Sequence, residues 1–241
     1  MPPALASIAD PRRNHLLAAL AEDDLARWRP HLEALELRRG EVLCEAGDVP
    51  SCLVFPTTAI VSLLYTTRDG ESAEFAVVGN DGVVGVSLFM GGHTTPWRAV
   101  VQSEGSALRL GTRALAGTAR PDGPVLRLLL RYAQALISQV AQTALCNRYH
   151  SIDQQLSRRL LSGLDRSASD ELLMTQEGIS HLLGVRREGV TAAALRLLEA
   201  GAIRYRRGRI AVLDRALLEQ HSCECYAAAR LEHERLLTPA A

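Results

Sequence analysis

Residues 175–214, TQEGISHLLGVRREGVTAAALRLLEAGAIRYRRGRIAVLD, determine how the C-terminal third of the chain folds. Apolar residues recur at helical spacing on both sides of Gly184, and after Gly201 they alternate with polar residues. The first pattern predicts two helices joined by a glycine turn, and the second predicts a short β-hairpin. Helix, turn, helix and basic hairpin in this order indicate a winged helix-turn-helix that reads DNA.

The two predicted helices have defined ends. Thr175 can cap the first helix through its hydroxyl, and Gly184 supplies the exit turn. The second helix is predicted over residues 186–200 and stops at Gly201. Its expected inner stripe consists of Val190, Ala194, Leu197 and Leu198.

The start of the second helix is where we expect bases to be read, because a recognition helix directs its N-terminal residues at base edges in the major groove. Arginine can bind guanine O6 and N7 bidentately, and glutamate can accept from the cytosine amino group. The expected base-reading residues are Arg186, Arg187, Glu188 and Thr191. The expected phosphate-binding residues are Thr175, Gln176, Arg206, Arg207 and Arg209.

The charge of the chain is balanced, with 27 arginines, no lysine and 27 acidic residues among 241. Any nucleic-acid surface must therefore be local. Residues 175–215 hold eight arginines against four acidic residues. A helical hairpin with a solvated basic face is the alternative interpretation, but the glycine turn and the arginine-tipped hairpin favour a DNA reader.

Several classes of protein are not indicated by the sequence. No apolar stretch reaches the roughly 18 residues of a membrane helix, and the N-terminus lacks the apolar core of a signal peptide, so we expect a cytoplasmic protein without a membrane partner. No GxSxG, HExxH or P-loop motif occurs, so we expect no enzyme and no catalytic residue.

The N-terminal half changes from helical to strand-like patterns. Residues 15–35 predict one or two short helices, and from Leu37 onward short apolar runs are cut by glycines. Such runs predict an antiparallel barrel or roll, with a hairpin loop at residues 66–70 and a turn at 80–82. Pro56 is expected to end or interrupt a strand.

A long helix is predicted from Pro124 onward. Five of its residues are spaced 4, 3, 4 and 3 apart, which is typical of a helix–helix seam. These residues are Leu129, Ala133, Leu136, Val140 and Thr143. A core helix is the alternative, but a long helix between a β domain and a DNA reader favours a dimer axis.

The order of β-roll, long helix and winged helix-turn-helix resembles the Crp/Fnr family of transcription regulators. The motifs that carry the resemblance are RRGEVLCEAGD at 38–48, GVVG at 82–85 and GVRREGV at 184–190. The resemblance implies an α+β fold with a β-roll sensor domain over residues 16–120 and a dimerisation helix over 121–148. The winged helix-turn-helix follows over 150–220, with a C-terminal helix or tail over 221–241.

The resemblance also implies partners and a function. We expect a homodimeric transcription regulator that binds a two-fold site in double-stranded DNA and contacts RNA polymerase. Arg187 and Glu188 match the Arg-Glu pair of the family's recognition helix, whereas the family's further arginine falls on Ala192. A cyclic-nucleotide-binding module that acts on a protein partner is the alternative function.

The effector of the sensor is left open by the sequence. The resemblance places a pocket at Gly82, Val83, Gly85, Trp97 and Arg98. Val83 stands where cyclic-nucleotide binders have a glutamate for the ribose, and Trp97 and Arg98 stand at their Arg-Ser pair. A valine cannot accept a hydrogen bond from a ribose hydroxyl, so the pocket argues against a cyclic nucleotide.

The five cysteines do not assemble a known cluster by sequence. No cysteine precedes Cys44, so the family's N-terminal iron–sulfur set is not formed. Cys223 and Cys225 could chelate a metal, but two thiols without further partners favour free thiols. The sequence therefore predicts no cofactor and no metal.

Overall fold

The computed structural model describes residues 10–167 and 169–238, which divide into two units. Of the described residues, 10–61, 78–134 and 235–238 belong to the first unit. The second comprises Ser62–Val77 and Ala135–Glu234. The N-terminal residues 1–9, Ala168 and the end of the predicted tail at 239–241 lie outside the described residues.

The elements follow one another in the predicted order of strands, long helix and helix-turn-helix. The helices are α1 His15–Ala18, α2 Glu22–Trp28, α3 Ser87–Met90, α4 Thr112–Thr118, α5 Pro124–Tyr149, α6 Ile152–Leu164, α7 Gln176–Leu183, α8 Arg187–Glu199, α9 Arg215–His221 and α10 Glu224–Leu237. The strands are β1 Leu32–Leu37, β2 Val42–Cys44, β3 Cys52–Pro56, β4 Ile60–Thr66, β5 Ser72–Val78, β6 Arg98–Ser103, β7 Gly105–Gly111, β8 Glu171–Leu173, β9 Ile203–Arg206 and β10 Arg209–Val212.

An antiparallel sheet in the order β1-β7-β3 forms much of the core of the first unit. Leu110 of β7 pairs with Leu32 of β1 on one side and with Leu53 of β3 on the other, and all three are buried. The ring of Trp28 packs against Phe55 with their centroids 5.9 Å apart. The antiparallel β domain expected from the glycine-cut apolar runs is thereby confirmed.

Two sequence predictions about element ends need correction. Residues 32–35, predicted as helix, form the beginning of β1. The backbone from Leu32 to Leu37 pairs with β7, and the side chains at the two ends of this strand are buried. The final helical pattern, predicted as one helix over residues 219–237, is broken at Ser222 and Cys223 into α9 and α10. By contrast, β3 does end at Pro56, as expected.

Helix α6 begins the winged helix-turn-helix of the second unit. Ser151 caps it, since its Oγ accepts from the Gln154 amide while the Gln154 side chain accepts from the Ser151 amide. Leu156 and Leu160 of α6 are fully buried in an apolar cluster that includes Ile179 of α7 and Val190 of α8. Burial of this shared face holds the three helices as one body.

A buried ion pair joins α6 to β5 within the second unit. Arg159 Nε lies 2.7 Å from Glu74 Oε1, and both side chains are almost wholly buried. Burial lowers the pKa of the Arg159 guanidinium, and the Glu74 carboxylate opposes that shift. The two charges are therefore tolerated only together.

We predict that Glu74→Gln lowers the free energy of unfolding of the second unit by about 3–5 kcal/mol, because it leaves the buried Arg159 charge uncompensated. The matched control is Glu171→Gln, which removes an exposed partner of Arg209 and should cost at most about 1 kcal/mol. Urea unfolding followed by circular dichroism measures both. Equal losses in the two variants would contradict the prediction.

Candidate nucleic-acid interface

The turn between α7 and α8 has the geometry that the sequence predicts. The Thr175 hydroxyl accepts a 3.0 Å hydrogen bond from the Gly178 amide and so caps α7. Gly184 ends α7 in the left-handed conformation with φ 64°. Helix α8 then starts after Arg186, whose backbone is extended. The helix-turn-helix is therefore confirmed down to its cap and its glycine turn.

Helix α8 buries one face and exposes its start. Val190, Ala194 and Leu197 are buried as predicted, but Leu198 is 43% exposed and does not belong to the inner stripe. Ala193 is fully buried and belongs to the inner face instead. The predicted base-reading residues Arg186, Arg187 and Glu188 lie at the start of the helix, and all three are exposed.

The hydroxyl of Thr191, the fourth predicted base-reading residue, forms its hydrogen bonds within the helix-turn-helix. Its Oγ1 lies 3.0 Å from Gln176 Oε1 and 3.0 Å from the Arg187 carbonyl, the two acceptors available to its single proton. Gln176, predicted to bind phosphate, is therefore occupied in joining α7 to α8. In this geometry both residues position the recognition helix.

The wing is a two-stranded antiparallel hairpin with an unusual turn. Arg206 of β9 pairs with Arg209 of β10, so the turn consists of Arg207 and Gly208 alone. Both have positive φ, 48° for Arg207 and 77° for Gly208, as in the type I′ turns that suit two-residue hairpins. An arginine in this conformation is strained, since asparagine and glycine adopt it more readily.

A basic cleft of about 550 Å³ lies along the wing. It is lined by Glu171, Arg204, Arg206, Arg207, Arg209 and Ala211. Arg204 was not among the predicted phosphate ligands. The signal for it was the period of two in a strand, which places Arg204 on the same face as Arg206.

Ion pairing distinguishes the arginines of this unit. Within the described part of the chain, Arg186, Arg187 and Arg207 form no ion pair. Arg196, near the far end of α8, is instead bound by both oxygens of Asp153 at 2.7 and 2.8 Å. The unneutralised charge is therefore concentrated at the start of α8 and the tip of the wing, where phosphates would be met.

Solved structures of similar fold include proteins from Bradyrhizobium japonicum and Thermus thermophilus. FixK2 from Bradyrhizobium japonicum is 17% identical, with 80% of this chain and 98% of that chain covered at a TM-score of 0.66. Two CRP-family transcriptional regulators from Thermus thermophilus are also similar. TTHB099 is 20% identical (78% and 96% covered, TM-score 0.65), and TTHA1359 is 19% identical (79% and 98% covered, TM-score 0.63). At these identities the likeness establishes the fold.

Two family models match the chain in succession. The cyclic nucleotide-binding domain matches residues 34–120, and the Crp-like helix-turn-helix domain matches residues 125–221. The chain belongs to the Crp/Fnr family. It is therefore a DNA-binding transcription regulator. No curated protein matches it. Among the described residues, no helix combines the length and apolarity needed to cross a membrane.

A small cavity lies in the part of the first unit for which the effector pocket is predicted. Its volume is about 60 Å³, whereas pockets for drug-sized ligands measure about 300–1,000 Å³. Gly85 and Trp97 line it, together with the buried Ser87. The Ser87 hydroxyl has no hydrogen-bond partner among the described residues, so it is a polar group available to a small ligand.

The other three predicted pocket residues have different surroundings. Val83 is buried, and Arg98 lies 3.1 Å from Glu45 in an exposed ion pair. Gly82 packs so closely on Tyr132 that a Cβ at this position would lie 2.4 Å from the tyrosine hydroxyl oxygen. Its carbonyl also accepts from the buried Asn14 side chain at 2.8 Å. Gly82 therefore serves packing within the first unit.

The cysteines that the sequence singled out have partners. Cys223 and Cys225 lie beside Cys146 and His150, with all four ligand atoms within 4.8 Å of one another. Burial raises the pKa of Cys146 to about 11 and that of Cys225 to about 12. The sequence pattern does not reveal this set because Cys146 and Cys223 are 77 positions apart.

We predict that Arg187→Ala weakens binding to the preferred DNA site by about 1–3 kcal/mol and relaxes base preference at one position, because a bidentate base contact is lost. The control is Arg113→Ala, which removes the same charge from an exposed position of α4. Competition binding with a set of single-base variants measures both. Equal discrimination by wild type and Arg187→Ala would rule out this role.

The turn conformation allows a test of the wing without loss of stability. Arg207→Asn keeps a residue that accepts positive φ, so folding should be unchanged or improved. DNA affinity should fall alike for all sequences, and the slope of log K against log salt should decrease by about one. Fluorescence anisotropy over a salt series measures it. A loss confined to the preferred site would assign Arg207 to base reading instead.

Proposed function

We propose that this regulator acts as a homodimer that places two copies of α8 in successive major grooves of a two-fold DNA site. The observation that carries the proposal is the exposed turn of Arg186, Arg187 and Glu188, together with the arginine-lined cleft of the wing. Centres of successive grooves are about 34 Å apart, so the two readers need a fixed spacing. A dimer axis along α5 supplies it.

The exposed face of α5 indicates which residues meet in the dimer. Leu129, Ala133 and Leu136 of the predicted seam are buried within the chain, which leaves them little surface for a partner. Leu130 and Ile137 are 44% and 60% exposed instead. Ala141 and Ala144 continue that face at seam spacing. We therefore place the dimer contact one residue further along the helix, with Val140 and Thr143 at its edge.

The first unit supplies the input. A small cavity with one unpartnered hydroxyl suits a small uncharged effector better than a cyclic nucleotide, because Val83 offers no acceptor to a ribose. The effector would bias two arrangements of the dimer. We further propose that the regulator contacts RNA polymerase. We also propose that its sensor domain, dimerisation helix and DNA-binding domain end at residues 120, 148 and 220.

Selection of duplexes from a random library by the full-length protein tests the function. We expect a two-fold consensus whose half-sites are one helical turn apart, and binding that does not depend on added cyclic AMP. Recovery of duplexes without any consensus would overturn sequence-specific regulation. Strict dependence on cyclic AMP would overturn the proposed effector class while leaving the DNA function intact.

We predict that Ile137→Arg converts the dimer into a monomer, because two like charges would face each other across the helix contact. The half-site affinity of the monomer should persist, while affinity for the two-fold site falls by at least tenfold. Val49→Arg makes the same change at an exposed apolar residue outside α5 and should leave the dimer intact. Sedimentation analysis distinguishes the two. An unchanged dimer in Ile137→Arg would refute the proposed face.

A further inference from the structure

Four potential metal ligands converge where α5 ends and α10 begins. Cys146 and His150 lie one helical turn apart, and the His150 amide donates to the Cys146 carbonyl at 3.0 Å. Cys223 and Cys225 stand on either side of Glu224, the first residue of α10. Both pairs belong to the second unit, whereas the residues that line the small cavity belong to the first.

The distances between the ligand atoms match a tetrahedral site. Cys146 Sγ lies 3.5 Å from Cys223 Sγ, and Cys225 Sγ lies 3.5 Å from His150 Nδ1. Zinc bonds of about 2.3 Å to sulfur and 2.0 Å to nitrogen give tetrahedral edges of about 3.5–3.8 Å. The four atoms, all within 4.8 Å of one another, need only small adjustments to surround one ion.

The surroundings favour a closed site. Cys146, Cys223 and Cys225 are all buried and form a cluster of their own, separate from the apolar core of the helix-turn-helix. Sulfur and imidazole donors with no carboxylate among them select zinc over calcium or magnesium. Four protein ligands without an open position are the pattern of a structural zinc site.

A histidine that binds a metal through one ring nitrogen usually donates a hydrogen bond from the other, and His150 has such an acceptor in Glu224. His150 Nε2 lies 3.3 Å from Glu224 Oε1, so a proton on Nε2 has an acceptor while Nδ1 faces Cys225. The Gln155 side chain donates to the His150 carbonyl at 2.9 Å and fixes the backbone there. The positive charge of the buried Arg158 guanidinium acts to lower the pKa of the Cys146 thiol, so it favours negative charge on the sulfur.

We propose that Cys146, His150, Cys223 and Cys225 bind one zinc ion in a structural site that joins the end of α5 to the start of α10. Binding replaces the three thiol protons, which are released to solvent, and no oxidation is involved. The ion carries two positive charges against three thiolates. Arg158 therefore brings the site as a whole back to neutrality.

The first experiment is metal analysis of the full-length protein, purified under reducing conditions without added metal. We expect elemental mass spectrometry to find one zinc ion per chain. Cys223→Ser should lose the zinc, whereas Cys44→Ser and Cys52→Ser, which alter cysteines of the first unit, should retain it.

Reconstitution keeps the test valid if Cys223→Ser folds poorly. The wild-type protein is stripped of metal by a chelator and titrated with Co²⁺, which should give the visible bands of tetrahedral cobalt and the ultraviolet bands of thiolate ligation at one equivalent. Added Zn²⁺ should abolish both. A protein without zinc that also gives no such spectrum would overturn the proposal, and so would iron with sulfide in place of zinc.

Glu224 offers a variant that leaves the buried cluster intact. Glu224→Gln removes the carboxylate beside His150 Nε2 and should lower zinc affinity by about 10–100-fold in competition with a chromogenic chelator. Glu234→Gln, on the same helix and also exposed, should leave the affinity unchanged. Equal affinities in both variants, or a Cys146–Cys223 disulfide in the reduced preparation, would contradict a zinc site of this geometry.

Discussion

The close approach of α6 to α8 is the constraint on which the DNA-reading geometry depends. A Cβ at Gly189 would lie 2.6 Å from Ile152 Cδ1, so a larger residue here would have to displace the end of the isoleucine side chain that packs between the two helices. The contact turns Val190, Ala194 and Leu197 inward and leaves the turn before Gly189 outside. The exposure of the residues proposed to read bases thus follows from the burial of Val190, which lies next to Gly189 on the packed face of the helix.

Electrostatics adds a second layer to the same geometry. The chain has no net charge, so its affinity for DNA must come from how the arginines are paired. Asp153 neutralises Arg196 at the far end of α8, whereas the strained turn of the wing presents Arg207 without an acidic partner among the described residues. Backbone strain at a single residue lowers stability, and proteins keep such strain mainly at functional sites.

The sequence predicts those features that depend on neighbouring residues. The Thr175 cap, the Gly184 turn and the arginine-tipped hairpin all follow from local patterns, and each is present. Features formed by distant residues are not predictable in this way. Glu74 and Arg159 are 85 positions apart, and nothing in either segment indicates that they pair. Leu198 was wrongly placed inside because helical spacing alone does not define the width of a buried face.

The cysteine cluster shows how such a distant contact can change the energetics of a whole unit. Cys146 precedes the helix-turn-helix and Cys223 follows the wing, 77 positions further along the chain. A metal bound by both ends therefore closes a long loop, and its binding free energy becomes part of the folding free energy of everything inside that loop. The bound ion would then stabilise the helix-turn-helix without contacting either α8 or the wing. In this arrangement, three thiols that the sequence predicts to be free would stabilise the DNA-binding unit by binding one metal ion at both of its ends.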